Sequence, residues 1–203
     1  MQMKKCFWAA AIAALFLAQQ AQAAPKFFYQ ASQVVYKAVP GEVLQVPVYI
    51  VATTDGAAAI QAADGLFSSG VRLSLASPAA GGTIQSVTAD LSWDGSQLPT
   101  VTSTLAQLYV DRASGTGPGA LPDNDLKIKI GTFHILVGNS PDNLIHFDLQ
   151  DYEPGSSEVV GYDGTEFDPD ISPSQFIIQV PEPASASLLL IGSSLLMMRR
   201  RTN

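Results

Sequence analysis

The sequence predicts an all-β protein, an antiparallel β-sandwich flanked by an N-terminal signal helix and a short C-terminal transmembrane helix. Three observations lead there. Short aromatic and β-branched runs recur along residues 24–180, separated by glycine, proline and aspartate turns. Apolar residues within them alternate with period two, and a helical period of 3.6 is almost absent. The two long charge-free apolar runs lie at the chain ends, so residues 1–23, 24–180 and 181–203 read as signal, domain and tail.

The elements follow in order. Lys4 and Lys5 precede an apolar run of 13 residues, Cys6 to Ala18. Ala21-Gln22-Ala23 then supplies an A-x-A cleavage site, and cleavage is expected after Ala23. An uncleaved anchor is disfavoured because a spanning helix needs about 20 apolar residues. The single cysteine, Cys6, leaves with the signal, so the domain is expected to stand on its core without disulfides.

In the body, Phe27–Lys37 is aromatic and β-branched, and Pro40-Gly41 marks a turn. Val43–Val51 alternates, with Val46, Val48 and Ile50 on one face. Further strands are expected at Gly70–Ala76, Thr83–Trp93, Leu105–Val110, Leu126–Val137, Asn143–Leu149, Glu158–Gly161 and Gln175–Val180. Ala57–Ala63 is alanine-rich and reads equally as a short helix or a strand crossing. The length suits one domain with its own core.

Residues 24–180 hold 17 Asp and Glu against 6 Lys and Arg, a net charge of −11. A surface this acidic repels nucleic acid and anionic headgroups. Of those acids, 12 lie at or after Asp111, which directs the search for cation ligands to the second half. Asp123-Asn124-Asp125 forms one loop cluster; Asp163, Glu166 and Asp168 form another. Calcium takes several oxygen ligands from such loops, but neither cluster has EF-hand spacing. Turn-forming, solubilising acids are the preferred reading, because the ligand type fits calcium and the ligand spacing does not. No cofactor is expected, and the domain is expected to fold without metal; calcium is the alternative that the oxygen ligands of these loops leave open.

No catalytic residue is assigned, and no enzymatic activity is expected. His134 and His146 sit in apolar strand runs without zinc-site spacing. His146 shares a strand face with Asp148, but no serine occupies a G-x-S-x-G elbow. Trp93, the one tryptophan left after signal cleavage, either stacks on a sugar ring or fills the core. The core reading is preferred, since sandwiches commonly bury a tryptophan.

The tail begins at Pro181-Glu182-Pro183, where proline ends any preceding strand. Ala184–Met198 is a charge-free, mostly apolar run of 15 residues, followed at once by Arg199, Arg200 and Arg201. As a helix it covers about 22 Å, short of the roughly 30 Å hydrocarbon core. The arginines hold its end on the cytoplasmic side. This order resembles the PEP-CTERM sorting tail of exported bacterial proteins. The resemblance covers about 24 residues and implies processing by an exosortase-type enzyme. It also implies delivery to the cell surface or the exopolysaccharide matrix of Gram-negative bacteria, with transient anchoring in the inner membrane.

The body carries a second resemblance. The opening strand, Pro40-Gly41-Glu42 and Val43–Val51, together with Ile130-Gly131-Thr132-Phe133-His134-Ile135, resembles cohesin-like domains. That sandwich superfamily also holds carbohydrate-binding modules. Gly65-Leu66-Phe67-Ser68-Ser69-Gly70-Val71-Arg72 is similar to a stretch of PEP-CTERM proteins bearing such domains. Two functions remain open: a structural or adhesive surface module, and a binding module for polysaccharide or another surface protein. A surface without clustered aromatics supports the first, and an aromatic-lined groove near Trp93 supports the second.

Overall fold

A computed structural model describes residues 26–77, 81–112, 119–153, 156–168 and 171–181. The signal site at Ala21 and Ala23, and the sorting residues Glu182, Pro183, Arg199, Arg200 and Arg201, lie outside these residues. The described chain runs β1 (Phe27–Ala31), β2 (Val35–Lys37), β3 (Val43–Ala52), α1 (Thr54–Ala62), β4 (Leu66–Ser77), β5 (Gly82–Ala89), β6 (Gly95–Ser96) and β7 (Thr100–Val101). It continues through β8 (Leu105–Asp111), β9 (Lys127–Val137), β10 (Leu144–Gln150), β11 (Val160–Gly161), β12 (Ile171–Ser172) and β13 (Ser174–Gln179).

The strands form two sheets. One has the order β12-β1-β3-β9-β5; the other has β2-β13-β10-β4-β8-β6, with β11 on β4 and β7 on β8. Pairing is antiparallel except where β12 meets β1 and β2 meets β13, which are parallel. The architecture is the expected all-β sandwich.

Alternation places the core. Phe27, Tyr29 and Ala31 of β1, and Val46, Val48 and Ile50 of β3, face inward and are buried. Val71, Leu73, Leu108, Val110, Ile145, Phe147, Phe176 and Ile178 meet them from the other sheet. Phe147 stacks on Phe176 at 5.2 Å, and Tyr36 meets Phe176 edge-on at 5.6 Å. Strand β9 buries Ile128 and Ile130, then Phe133, Ile135 and Val137, so its phase flips in the middle. A bulge opposite Val48 and Tyr49 makes the flip. Gly131 sits there because an added Cβ would lie 2.5 Å from both Leu108 Cδ2 and Thr88 O.

Two elements differ from the expectation, and one that the sequence left open is decided. The single strand anticipated over Phe27–Lys37 is two strands in different sheets. The chain crosses at Ser32–Val34, where the Tyr36 hydroxyl lies 2.8 Å from Ser32 Oγ and accepts from Gln33 N at 3.2 Å. The strand from Thr83 stops at Ala89. Asp90 Oδ1 accepts from Ser92 N, and Trp93 N donates to Asp90 O, closing a turn. The alanine-rich stretch is α1. Thr53 Oγ1 accepts from Gly56 N as its N-cap, and Ile60 is its fully buried anchor. At the other end, β13 stops at Gln179, Val180 N donates to Asn143 O, and Pro181 is exposed.

Among the described residues, no helix is long and apolar enough to cross a membrane.

Candidate functional site

The site is built on β4. Strand β10 pairs with β4 from Arg72 to Ser77, and β11 pairs with it at Leu66 and Ser68 on the same side. Between these partners, no strand pairs with residues 69–71 on this side, among the described residues. The segment joining β10 to β11 turns over this gap. Ser68 Oγ donates to Glu158 O at 2.7 Å, and Gln107 Nε2 donates to Tyr152 O at 2.7 Å. The Tyr152 ring meets Tyr109 edge-on at 6.1 Å.

Glycine at position 70 makes the close approach possible. A Cβ there would lie 2.6 Å from Tyr152 Cβ and 3.0 Å from Glu158 Cβ. From the interior, the Tyr29 hydroxyl crosses to the second sheet and donates to Gly70 O at 2.8 Å.

Three carboxylates converge over this gap. Asp151 follows β10, Glu158 precedes β11, and Asp168 lies between β11 and β12. One oxygen from each lies within 4.8 Å of the others. Asp168 is fixed by two backbone donors, Glu158 N at 3.2 Å and Val159 N at 2.9 Å. The adjacent Phe167 is buried, donates its N–H to Val159 O, and packs edge-on against Phe27 at 5.2 Å. Glu158 is only 6% exposed, and Ser156 Oγ contacts its Oε1. Glu158 Oε2 and Asp151 Oδ1 are buried with no hydrogen-bond donor among the described residues.

Burial raises the pKa of all three carboxyls from its ordinary value. For Glu158 the charges of Asp151 and Asp168 add to the rise, and for Asp168 that of Asp151 does. At Asp151 the Tyr152 backbone N–H offsets part of the effect, then the charge of Arg72 on β4, then side-chain hydrogen bonding with Glu158; Arg72 Nη2 donates to Gln150 Oε1 at 2.6 Å. Concentrated negative charge in a desolvated place is what a cation or shared protons would relieve.

The residues singled out from sequence are distributed differently. Of the second acidic cluster only Asp168 reaches this site. Asp163 is exposed, and its Oδ1 accepts from Thr165 N in a turn; Glu166 is exposed as well. Asp123 and Asp125 stand elsewhere, before β9, where Asp123 Oδ1 accepts from Asp125 N and Lys127 N. Trp93 is 6% exposed, lies in the core, and donates its indole N–H to Lys129 O at 2.9 Å. A groove of about 380 Å³ next to Ser92 is lined by Ser92, Arg112, Leu121, Asp123 and Lys129 among others, with no aromatic ring among the described lining residues. Asp148 accepts from Gln175 Nε2 at 2.8 Å. Asp151 and Glu158 escaped the sequence reading. The signal that points to them is the Ser68, Gly70 and Arg72 face of the motif at 65–72, whose close approach shows that something packs on it.

No family model matches the chain, and no curated protein matches it. Among solved structures it is similar to the third cohesin of ScaC from Acetivibrio cellulolyticus, determined in complex with the ScaB dockerin. The identity is 12%, the TM-score 0.51, and the match covers 76% of this chain and 98% of that one. It is also similar to the sixth cohesin of scaffoldin B from the same organism, in complex with a Cel5 dockerin mutant. There the identity is 7% and the TM-score 0.52, over 78% of this chain and 99% of that one. At these identities the likeness establishes a cohesin-like β-sandwich fold.

Proposed function

We propose that this chain is an exported, non-catalytic surface module whose cohesin-like sandwich holds another protein of the cell envelope or extracellular matrix. The observation that carries this reading is the fold itself, which spans nearly the whole of two cohesins solved with protein partners bound. Burial of Trp93 removes the ring face that a sugar-stacking groove would have used, so a protein partner is favoured over polysaccharide. The N-terminal signal supports export. The Pro181-Glu182-Pro183 motif, short apolar run and Arg199–Arg201 support sorting by an exosortase-type enzyme after transient membrane anchoring.

Two experiments test the reading. Cross-linking on intact cells producing the full chain should recover a protein partner in the envelope or matrix fraction. A glycan array should remain empty; a glycan hit without a protein partner overturns the adhesive reading. Changing Glu182 to Gln, or deleting Arg199–Arg201, should leave unprocessed chain in the membrane. Recovery of intact peptides spanning Ser187 to Met198 from the mature wild-type protein shows an ordinary anchor and overturns the sorting reading.

A further inference from the structure

The gap on β4 holds more negative charge than its surroundings satisfy. Asp151, Glu158 and Asp168 present oxygens within 4.8 Å of one another. Two ligands on opposite sides of one calcium ion, each at about 2.4 Å, stand about 4.8 Å apart, so the three oxygens fit one coordination sphere. Glu158 is more than nine-tenths buried, and its Oε2 has no donor among the described residues although it belongs to this cluster; Asp151 is only partly buried, but its Oδ1 atom is hidden and likewise lacks a donor. Native proteins rarely leave buried carboxylate oxygens unpaired, and an ion is one of the few things that resolves them. Asp168 has both oxygens positioned by backbone donors, which leaves lone pairs directed elsewhere. Arg72 contributes one positive charge nearby, so two of the three negative charges are left for a divalent ion.

We propose that Asp151, Glu158 and Asp168 form a calcium site that clamps the β10–β11 and β11–β12 connections onto the unpaired edge of β4. An all-oxygen set with three carboxylates on loops suits calcium, while magnesium demands a smaller, stricter octahedron and zinc prefers nitrogen and sulfur. The ion would complete its shell with water or main-chain oxygen.

The test uses the full chain, purified in a neutral detergent and stripped with EDTA. Thermal unfolding is followed with and without calcium chloride, and with magnesium chloride in parallel. Terbium luminescence, excited through tyrosine, gives a second readout, because Tyr29 and Tyr152 adjoin the site. With a dissociation constant of about 0.1–1 mM, as in extracellular calcium modules, about 10 mM calcium should raise the melting temperature by about 3–11 °C. Asp151→Asn and Glu158→Gln should each abolish that rise and the terbium emission. Both variants should melt, metal-free, no lower than the wild type, since each removes one charge from a repelling cluster. Asp163→Asn and Glu166→Gln should keep the wild-type response. Failure of the wild type to respond to calcium, even if Glu158→Gln melts higher, means the carboxyls share protons and overturns the site. So does a response retained in Asp151→Asn, or an equal response to magnesium.

Discussion

Replacing Tyr29 with phenylalanine tests how the two sheets are tied together. Tyr29 is fully buried on β1, and its hydroxyl donates to Gly70 O on β4 at 2.8 Å, across the sandwich interior. The ring is kept in the variant, so apolar burial is nearly unchanged. What is lost is one donor to a buried carbonyl, which costs about 1–3 kcal/mol when the acceptor is left unsatisfied. For a domain of this size that corresponds to a fall of about 2–12 °C in melting temperature. Burial, with additions from Asp151, Asp168 and Glu158, pushes the ionisation of this phenol well above its usual value. The phenol therefore remains a donor throughout the ordinary pH range, and the loss should not vary with pH. Urea unfolding measures it: the midpoint should fall with an unchanged m-value. Tyr36→Phe is the internal comparison, because its hydroxyl bonds Ser32 and Gln33 where those partners are exposed to water. It should cost less than Tyr29→Phe. A Tyr29→Phe loss under about 0.5 kcal/mol, or equal losses in the two variants, would refute the tie.

Gly70→Ala should destabilise by about 1–3 kcal/mol, because the new methyl forces the Tyr152 and Glu158 backbone away from β4; near-ultraviolet circular dichroism should register the loss of the Tyr109–Tyr152 contact. Trp93→Phe should cost about 1–3 kcal/mol through the unmet Lys129 carbonyl, and the Trp93 emission of the processed wild type should be blue-shifted by burial. Asp90 is partly buried, which alone raises its pKa, but the bonds from Lys129 and Ser92 outweigh this and hold it below the ordinary value. Its contribution is therefore present above about pH 4 and lost as pH falls through the lowered pKa. Asp90→Asn should flatten that acid limb by no more than about 1 kcal/mol, as suits a half-exposed pair. Residues 24–180 expressed alone should give a strand-dominated far-ultraviolet spectrum; a helical one would contradict the fold.

The strands that announce themselves in sequence are those with one wet face. Val46, Val48 and Ile50 alternate with half-exposed neighbours, and the period of two is plain. The first half of β4 is hidden because the core lies under it and the 151–158 segment lies over it. Leu66, Ser68, Ser69, Gly70 and Val71 are all buried, so no alternation survives to be read. Helix α1 is short, and its only buried side chain beyond alanine is Ile60, so no apolar stripe marks it; the cap at Thr53 was the available clue. The acidic site was illegible for a different reason. Proximity in sequence grouped Asp168 with Asp163 and Glu166, which turn to solvent, whereas its partners in space both come from the preceding connection, between β10 and β11. The proposed sorting tail is the opposite case, a linear pattern at residues 181–201 that is read from the sequence without any folding.

The parallel closure of both sheets has a consequence in time. Phe27 stands opposite Ile171, and Val35 stands opposite Ile177. A chain is synthesised from its N-terminus, so the first two strands emerge long before the segments that complete their edges. Until then β1 can pair only with β3 on one side, and β2 has no neighbour in its sheet among the described strands. Contacts this distant in sequence form slowly. The sandwich cannot finish folding until nearly its last residue is free, immediately before Pro181. A chain cut short before Ile171 would lose the closing strand of both sheets at once and leave two apolar edges open to its own copies.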